Sequence, residues 1–276
     1  MSDPLVTPAW LAEHLADVVV LDATYLMPAD ADAAKQAYLD SHLPGAQFFP
    51  IDDIADKTSD LPHMMPDAAT FGAAMAALGI DGQKPVVVYD RSPNHFSAPR
   101  VWFTLTAYGV PDVFVLDGGL LAWTAQNLPL ESGDVTAATV AARDWVLGSG
   151  RVLSGPQMAD VVAAGTRAII DARGAARFKG EVAEPRPGLQ SGHMPGATNV
   201  PFDTLTAPDG RFASAKTLDA LLAGKAGDDT VLSCGSGMTA ATLALGLARI
   251  GKQGSVYDGS WTEWGRGTLG PITKGD

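Results

Sequence analysis

A single cysteine, at position 234, stands among 276 residues. An internal disulfide is excluded, and the five histidines add no zinc-like spacing, so no metal is expected. Positive charge is also scarce: 19 Lys and Arg face 31 Asp and Glu, a formal net charge of −12. Nucleic acid and anionic membranes repel such a chain, so neither is expected as a partner, and an anionic substrate would need a local cluster of arginines. No apolar run approaches the roughly 20 residues that cross a bilayer. The stretch MSDPLVTPAW has neither the basic nor the apolar region of a secretory signal. With a lone, reduced thiol, the expected compartment is the cytoplasm. What is present is a composition 46% apolar and 18% charged, which is globular, at a length that suits two domains.

The chain repeats itself. SHLPGAQFFPID (41–52) matches GHMPGATNVPFD (192–203), VVVLDA (18–23) matches AIIDAR (168–173), PVVVYD (85–90) matches DTVLSC (229–234), and VFVLDGGLLAW (113–123) matches SVYDGSWTEW (255–264). Four matches in one order, at shifts of roughly 140 to 150 positions, indicate a duplicated domain. In each half short apolar strands alternate with helical runs such as DAATFGAAMAALG and GMTAATLALGLARIG. That alternation predicts an α/β fold: in each half a central, mostly parallel sheet with helices on both faces. Residues 131–150 lack a strong period and read as a linker between 1–130 and 151–276. His42 and His193 sit in the repeated His-x-Pro-Gly-Ala element of both halves and read as structural.

Cys234 follows the strand TVLS and opens the loop Cys-Gly-Ser-Gly-Met-Thr before an Ala/Leu helix. Open α/β sheets bind ligands at the carboxyl ends of their strands. Gly235 and Gly237 let the backbone curl around the sulfur, and N–H groups of the loop (Gly235, Gly237, Met238 and Thr239) and of the following helix can turn inward. Such a cradle favours a thiolate and would equally hold a persulfide anion. A buried structural cysteine is the alternative, but a core position has no need of flanking glycines. In the first half Asp90 stands at the place of Cys234, so thiol chemistry is confined to the second half.

Two tandem rhodanese-like domains, with the nucleophilic cysteine only in the second, describe the two-domain sulfurtransferases. The chain resembles that family over nearly its whole length, through HLPGA and HMPGA, DGG and DGS before Trp, and SAPRVWF. Its Cys-Gly-Ser-Gly loop is similar to that of members acting on 3-mercaptopyruvate. Members acting on thiosulfate typically carry Cys-Arg-Lys-Gly, whose two cations suit a dianion. The resemblance implies partners for Cys234: Ser236, with His63 and Asp52 as a relay from the other half, and Arg177 and Arg186 for the substrate carboxylate.

Each of these has a blander reading. An isolated Arg is more often in a surface ion pair, His63 could be an ordinary loop residue, and Ser236 could bond its own turn. Asp52 has a rival in Asp53. The expected chemistry is attack by the Cys234 thiolate on the sulfur of 3-mercaptopyruvate, loss of pyruvate, and passage of the outer sulfur to cyanide or a thiol such as thioredoxin. No cofactor is expected, and a monomer is. Thiosulfate:cyanide sulfurtransferase and a non-enzymatic persulfide carrier are the alternatives. A cysteine phosphatase would need Arg six positions after the cysteine, where Ala240 stands, and a P-loop would need a Lys that GSGMT lacks.

Overall fold

The computed structural model describes residues 3–276. Its first half runs β1 (Leu5–Val6), α1 (Pro8–His14), β2 (Val19–Asp22), α2 (Ala31–Asp40), β3 (Gln47–Phe48), α3 (Ile51–Ile54), α4 (Ala68–Ala77), β4 (Val86–Tyr89), α5 (Ala98–Ala107), β5 (Val113–Leu116) and α6 (Gly119–Thr124). The second half runs β6 (Val152–Leu153), α7 (Gly155–Ala164), β7 (Ile169–Asp171), α8 (Ala175–Lys179), β8 (Ala197–Asn199), a 3₁₀ turn, α9 (Ala215–Leu222), β9 (Thr230–Ser233), α10 (Ala240–Arg249), β10 (Gly254–Tyr257) and α11 (Ser260–Trp264).

Each half holds one five-stranded sheet, ordered β1-β5-β4-β2-β3 and β6-β10-β9-β7-β8, and every pairing is parallel. The two orders superpose strand for strand, as duplication requires. The central strands β4 and β9 are wholly buried, which is why VVVY and TVLS carry no alternation. Local signals fix the helix starts. Thr7 accepts the Trp10 N–H, and Ser154 forms a capping box with Gln157.

α5 and α10 each follow a central strand, and they pack on one another across the junction between halves. Reciprocal contacts reinforce that packing. Asp117, after β5, accepts the Phe212 N–H at 2.7 Å. Asp258, after β10, accepts the Met65 N–H at 2.6 Å. Residues 131–150 lie along the first half: Glu131 bridges to His42, Val135 donates to the Tyr38 hydroxyl, Gly148 donates to the Ala107 carbonyl, and Trp145 is buried against Phe71. His42 and His193 are buried, bonded to backbone carbonyls and stacked on Tyr38 and Phe178, in keeping with a structural reading.

Candidate active site

Cys234 lies just past the carboxyl end of β9, and α10 begins six residues later. Gly237 bends the intervening loop with φ +76, and a Cβ there would come within 2.8 Å of the Asp258 carbonyl and 2.9 Å of Arg100 Nη1. Glycine is required at that point by both conformation and space. The cysteine backbone is fastened from the turn after β10: its N–H donates to Ser260 Oγ at 3.1 Å, and its carbonyl accepts the Trp261 N–H at 3.0 Å. Ser260 itself holds φ +48 although it is not glycine. The equivalent position in the first half is Gly119, also left-handed. A serine in that conformation costs on the order of 1 kcal/mol, and here it supplies the acceptor for Cys234.

Only 1% of Cys234 is exposed, yet it lines a cavity of about 130 Å³ at the junction. Ser236, His63, Tyr25, Arg177 and Arg186 line the same cavity. The guanidiniums stand over the residue after the cysteine: a Cβ on Gly235 would lie 3.4 Å from Arg177 Nη2 and 3.9 Å from Arg186 Nη1. Gly235 thus leaves the space in which both arginines meet the loop. Arg177 is held by the buried Glu184, with Nη2 to Oε2 at 2.5 Å and Nε to Oε1 at 3.2 Å. Arg173 takes the same Glu184 at 2.9 Å and stacks on Trp261. Among the described residues no carboxylate lies within ion-pair distance of Arg186; its Nη2 is 3.5 Å from Ser236 Oγ.

His63 reaches the cavity from the first half. Its Nδ1 meets Asp52 Oδ1 at 2.5 Å, and that contact is the main reason the Asp52 carboxyl titrates below its usual range. Asp53 points away and pairs with Lys57 in solvent, so Asp52 is the partner of His63. Tyr25 presents an edge-to-face contact to the imidazole at 5.1 Å. Burial, and then the Asp52 carboxylate, push the Tyr25 hydroxyl up to about 12. Ser236 is not hydrogen-bonded to His63; its hydroxyl meets Arg186 instead.

The first half shows what such a loop holds. Asp90, at the place of Cys234, accepts the backbone N–H groups of Ser92, Ser97 and Ala98 at 2.9, 2.8 and 2.7 Å. The loop after β4 is a ring of amides closed around an internal carboxylate. Among the described residues no His, Cys, Asp and Glu group is arranged to hold a metal ion.

The model for the rhodanese-like domain matches residues 7–126 and again 156–266. The chain belongs to the rhodanese-like family. As a tandem rhodanese-like chain it is 42% identical to the 3-mercaptopyruvate sulfurtransferase of Escherichia coli, with 93% of this chain and 92% of that protein covered. It is 38% identical to the mitochondrial thiosulfate/3-mercaptopyruvate sulfurtransferase 1 of Arabidopsis thaliana, covering 95% of this chain and 76% of that one. The crystal structure of SseA from Escherichia coli, described among 3-mercaptopyruvate sulfotransferases, superposes with a TM-score of 0.83 at 38% identity, over 94% of this chain and 99% of that one.

Sequence reasoning missed Tyr25, Arg173, Glu184 and Ser260. Ser260 carried a signal, since DGS replaces the DGG of the first half. Glu184 lies between Arg177 and Arg186, where a carboxylate opposes an anion site. Its tie to Arg173 and Arg177 is visible only in three dimensions.

Proposed function

We propose that this chain is an enzyme that moves sulfur from 3-mercaptopyruvate to a thiol or cyanide acceptor through a persulfide on Cys234, releasing pyruvate. The observation that carries this reading is the pair Arg177 and Arg186 standing over the neutral Gly235–Ser236 loop. Planar guanidiniums suit the carboxylate and adjacent ketone of a 2-oxo acid. The names of the 36–42% identical relatives support the same donor.

In the proposed step the Cys234 thiolate attacks the substrate sulfur and an S–S bond forms. The carbon–sulfur bond breaks, and its electron pair passes toward the ketone as the enolate of pyruvate. The proton from the substrate thiol moves to that carbon, so thiolate and mercaptopyruvate become persulfide anion and pyruvate with no atom left over. Ser236, His63 and Asp52 carry the proton path. Arg186 joins this group directly, because its guanidinium meets the Ser236 hydroxyl. The loop amides of Gly235, Gly237, Met238 and Thr239 hold the anionic sulfur, as the first-half loop holds the Asp90 carboxylate. An acceptor then takes the outer sulfur and returns the thiolate; with one cysteine in the chain, no internal thiol can do so.

In this reading residues 1–130 are the silent copy, 131–150 the connection and 151–276 the working copy, and the chain acts as a monomer in the reducing cytoplasm. No helix among the described residues is long and apolar enough to cross a membrane. Comparing kcat/KM for mercaptopyruvate and for thiosulfate tests the donor. A preference for mercaptopyruvate with stoichiometric pyruvate release supports the reading. A preference for thiosulfate replaces it, and persulfide transfer to a partner without turnover of either donor makes the chain a carrier.

A further inference from the structure

Positive charge is scarce in this chain, and most arginines stand against an acid. Among the described residues every arginine has a carboxylate within ion-pair distance except Arg143, Arg151 and Arg186. Arg143 donates to the Asp81 carbonyl instead. Arg186 faces the cavity of Cys234. The Arg151 guanidinium donates to no described residue, and its Nε is buried without a partner. Burial alone pulls that side chain below the usual arginine value, because no acid stands near enough to offset it.

Arg151 comes immediately before β6. It lines a cavity of about 170 Å³ together with Lys252, which has no acidic partner among the described residues either. Trp102 and Thr106 of α5 enclose this cavity from the first half, and Ala244 and Ala248 of α10 from the second. Strands β6, β9 and β10 are parallel, and the cavity sits at their amino ends, whereas Cys234 follows the carboxyl end of β9. The two cavities share no residue.

Two structural roles would account for the cations, and neither is filled. The helices α5 and α10 end here, and helix C-termini favour positive charge. Their last carbonyls are already taken by backbone N–H groups, however: Thr104, Thr106 and Ala107 accept from Tyr108, Gly109 and Gly148, and Leu247 and Ala248 accept from Lys252 and Gly251. Neither cationic side chain is therefore a cap. Arg151 also lies 5.2 Å from the centroid of the Phe103 ring. An aromatic face satisfies the flat side of a guanidinium and none of its N–H groups. Those groups require an acceptor. Beside a lysine, in a cavity lined by no carboxylate, the fitting acceptor is an anion.

We propose that this cavity binds a small tetrahedral oxyanion of the phosphate or sulfate kind, held between Arg151 and Lys252. Two cations match a dianion in charge, and the edge of the guanidinium matches two of its oxygens. Residues of both halves line the site, so the bound ion ties α5 to the elements of the second half. The site stands apart from the proposed sulfur transfer and holds its ion whether or not that reading survives.

Equilibrium dialysis of the full chain against radiolabelled sulfate and, separately, phosphate tests this, in chloride buffer of fixed ionic strength. The Arg186→Ala protein is the reference, because that change removes the free cation of the Cys234 cavity. It should bind a single ion per chain. Adding Arg151→Gln should weaken binding by roughly 10- to 150-fold, as expected for one lost charged hydrogen bond. Lys252→Gln should weaken it as well, and it serves in place of Arg151→Gln if that variant does not fold. Tighter binding of either ion supports the site and names its kind. No binding by the Arg186→Ala protein, or equal binding with and without Arg151→Gln, would overturn the proposal.

Discussion

Replacing Arg186 with alanine separates anchoring from folding more cleanly than any other change at the site. Its guanidinium has no carboxylate partner among the described residues, and its contact is Ser236 Oγ at 3.5 Å. Removing it therefore leaves no buried charge unpaired. What is lost is a charged hydrogen bond proposed for the substrate carboxylate, about 1.5 to 3 kcal/mol. At about 1.4 kcal/mol per decade that is a rise of roughly 10- to 150-fold in KM for mercaptopyruvate. Arg177→Ala is the contrasting case. It strips one of two arginines from Glu184, whose side chain is 1% exposed, so it should lower the melting temperature as well as raise KM. Steady-state pyruvate release and thermal melts on both variants make the comparison. An Arg186→Ala protein with unchanged KM would remove that residue from the anchor and refute the reasoning.

Other outcomes follow from the same geometry. Gly237→Ala should lose about 2 to 4 kcal/mol in chemical denaturation, because a left-handed residue gains a Cβ within 2.9 Å of Arg100 Nη1; a stability equal to wild type would contradict the close approach. Asp52→Asn should slow turnover of mercaptopyruvate, whereas Asp53→Asn, exposed and paired only with Lys57, should not; equal effects in kcat would dissolve the Asp52–His63 assignment. Burial holds His95 below its ordinary value of 6.5, so the unfolded chain binds the extra proton first. The stability it contributes is full above pH 6.5 and is lost as pH falls toward the lowered folded value. Melting curves from pH 8 down to pH 5 should show a fall below about 6.5 that is smaller in His95→Gln. Identical pH profiles would dismiss His95 as its source.

Much of the architecture was legible because duplication writes it twice. The six strands read from apolar runs are β2, β4, β5, β7, β9 and β10. The edge strands β1 and β6 have two residues each, too short for any period to register. α2 went unread for a different reason: ADAAKQAYLD buries only Ala34 and Tyr38 and has almost no net hydropathy. At the site, Cys234 announced itself through its glycines, and Arg177 and Arg186 entered through the family resemblance. The unread parts act through contacts distant in sequence. Arg100, Asp258 and Tyr25 are separated from their partners by up to 193 positions, and nothing in a local window links them. The choice between Asp52 and Asp53 likewise depended on which way each side chain points from α3.

The central claim is that Cys234 carries the transferred sulfur. Intact-mass spectrometry of the protein after exposure to mercaptopyruvate without acceptor tests it directly, with Cys234→Ser as the comparison. The wild-type chain should gain the mass of one sulfur atom and lose it again on adding cyanide, and the serine variant should fold but stay unlabelled. Sulfur retained on the variant, or none acquired by the wild type while pyruvate is released, would contradict the account.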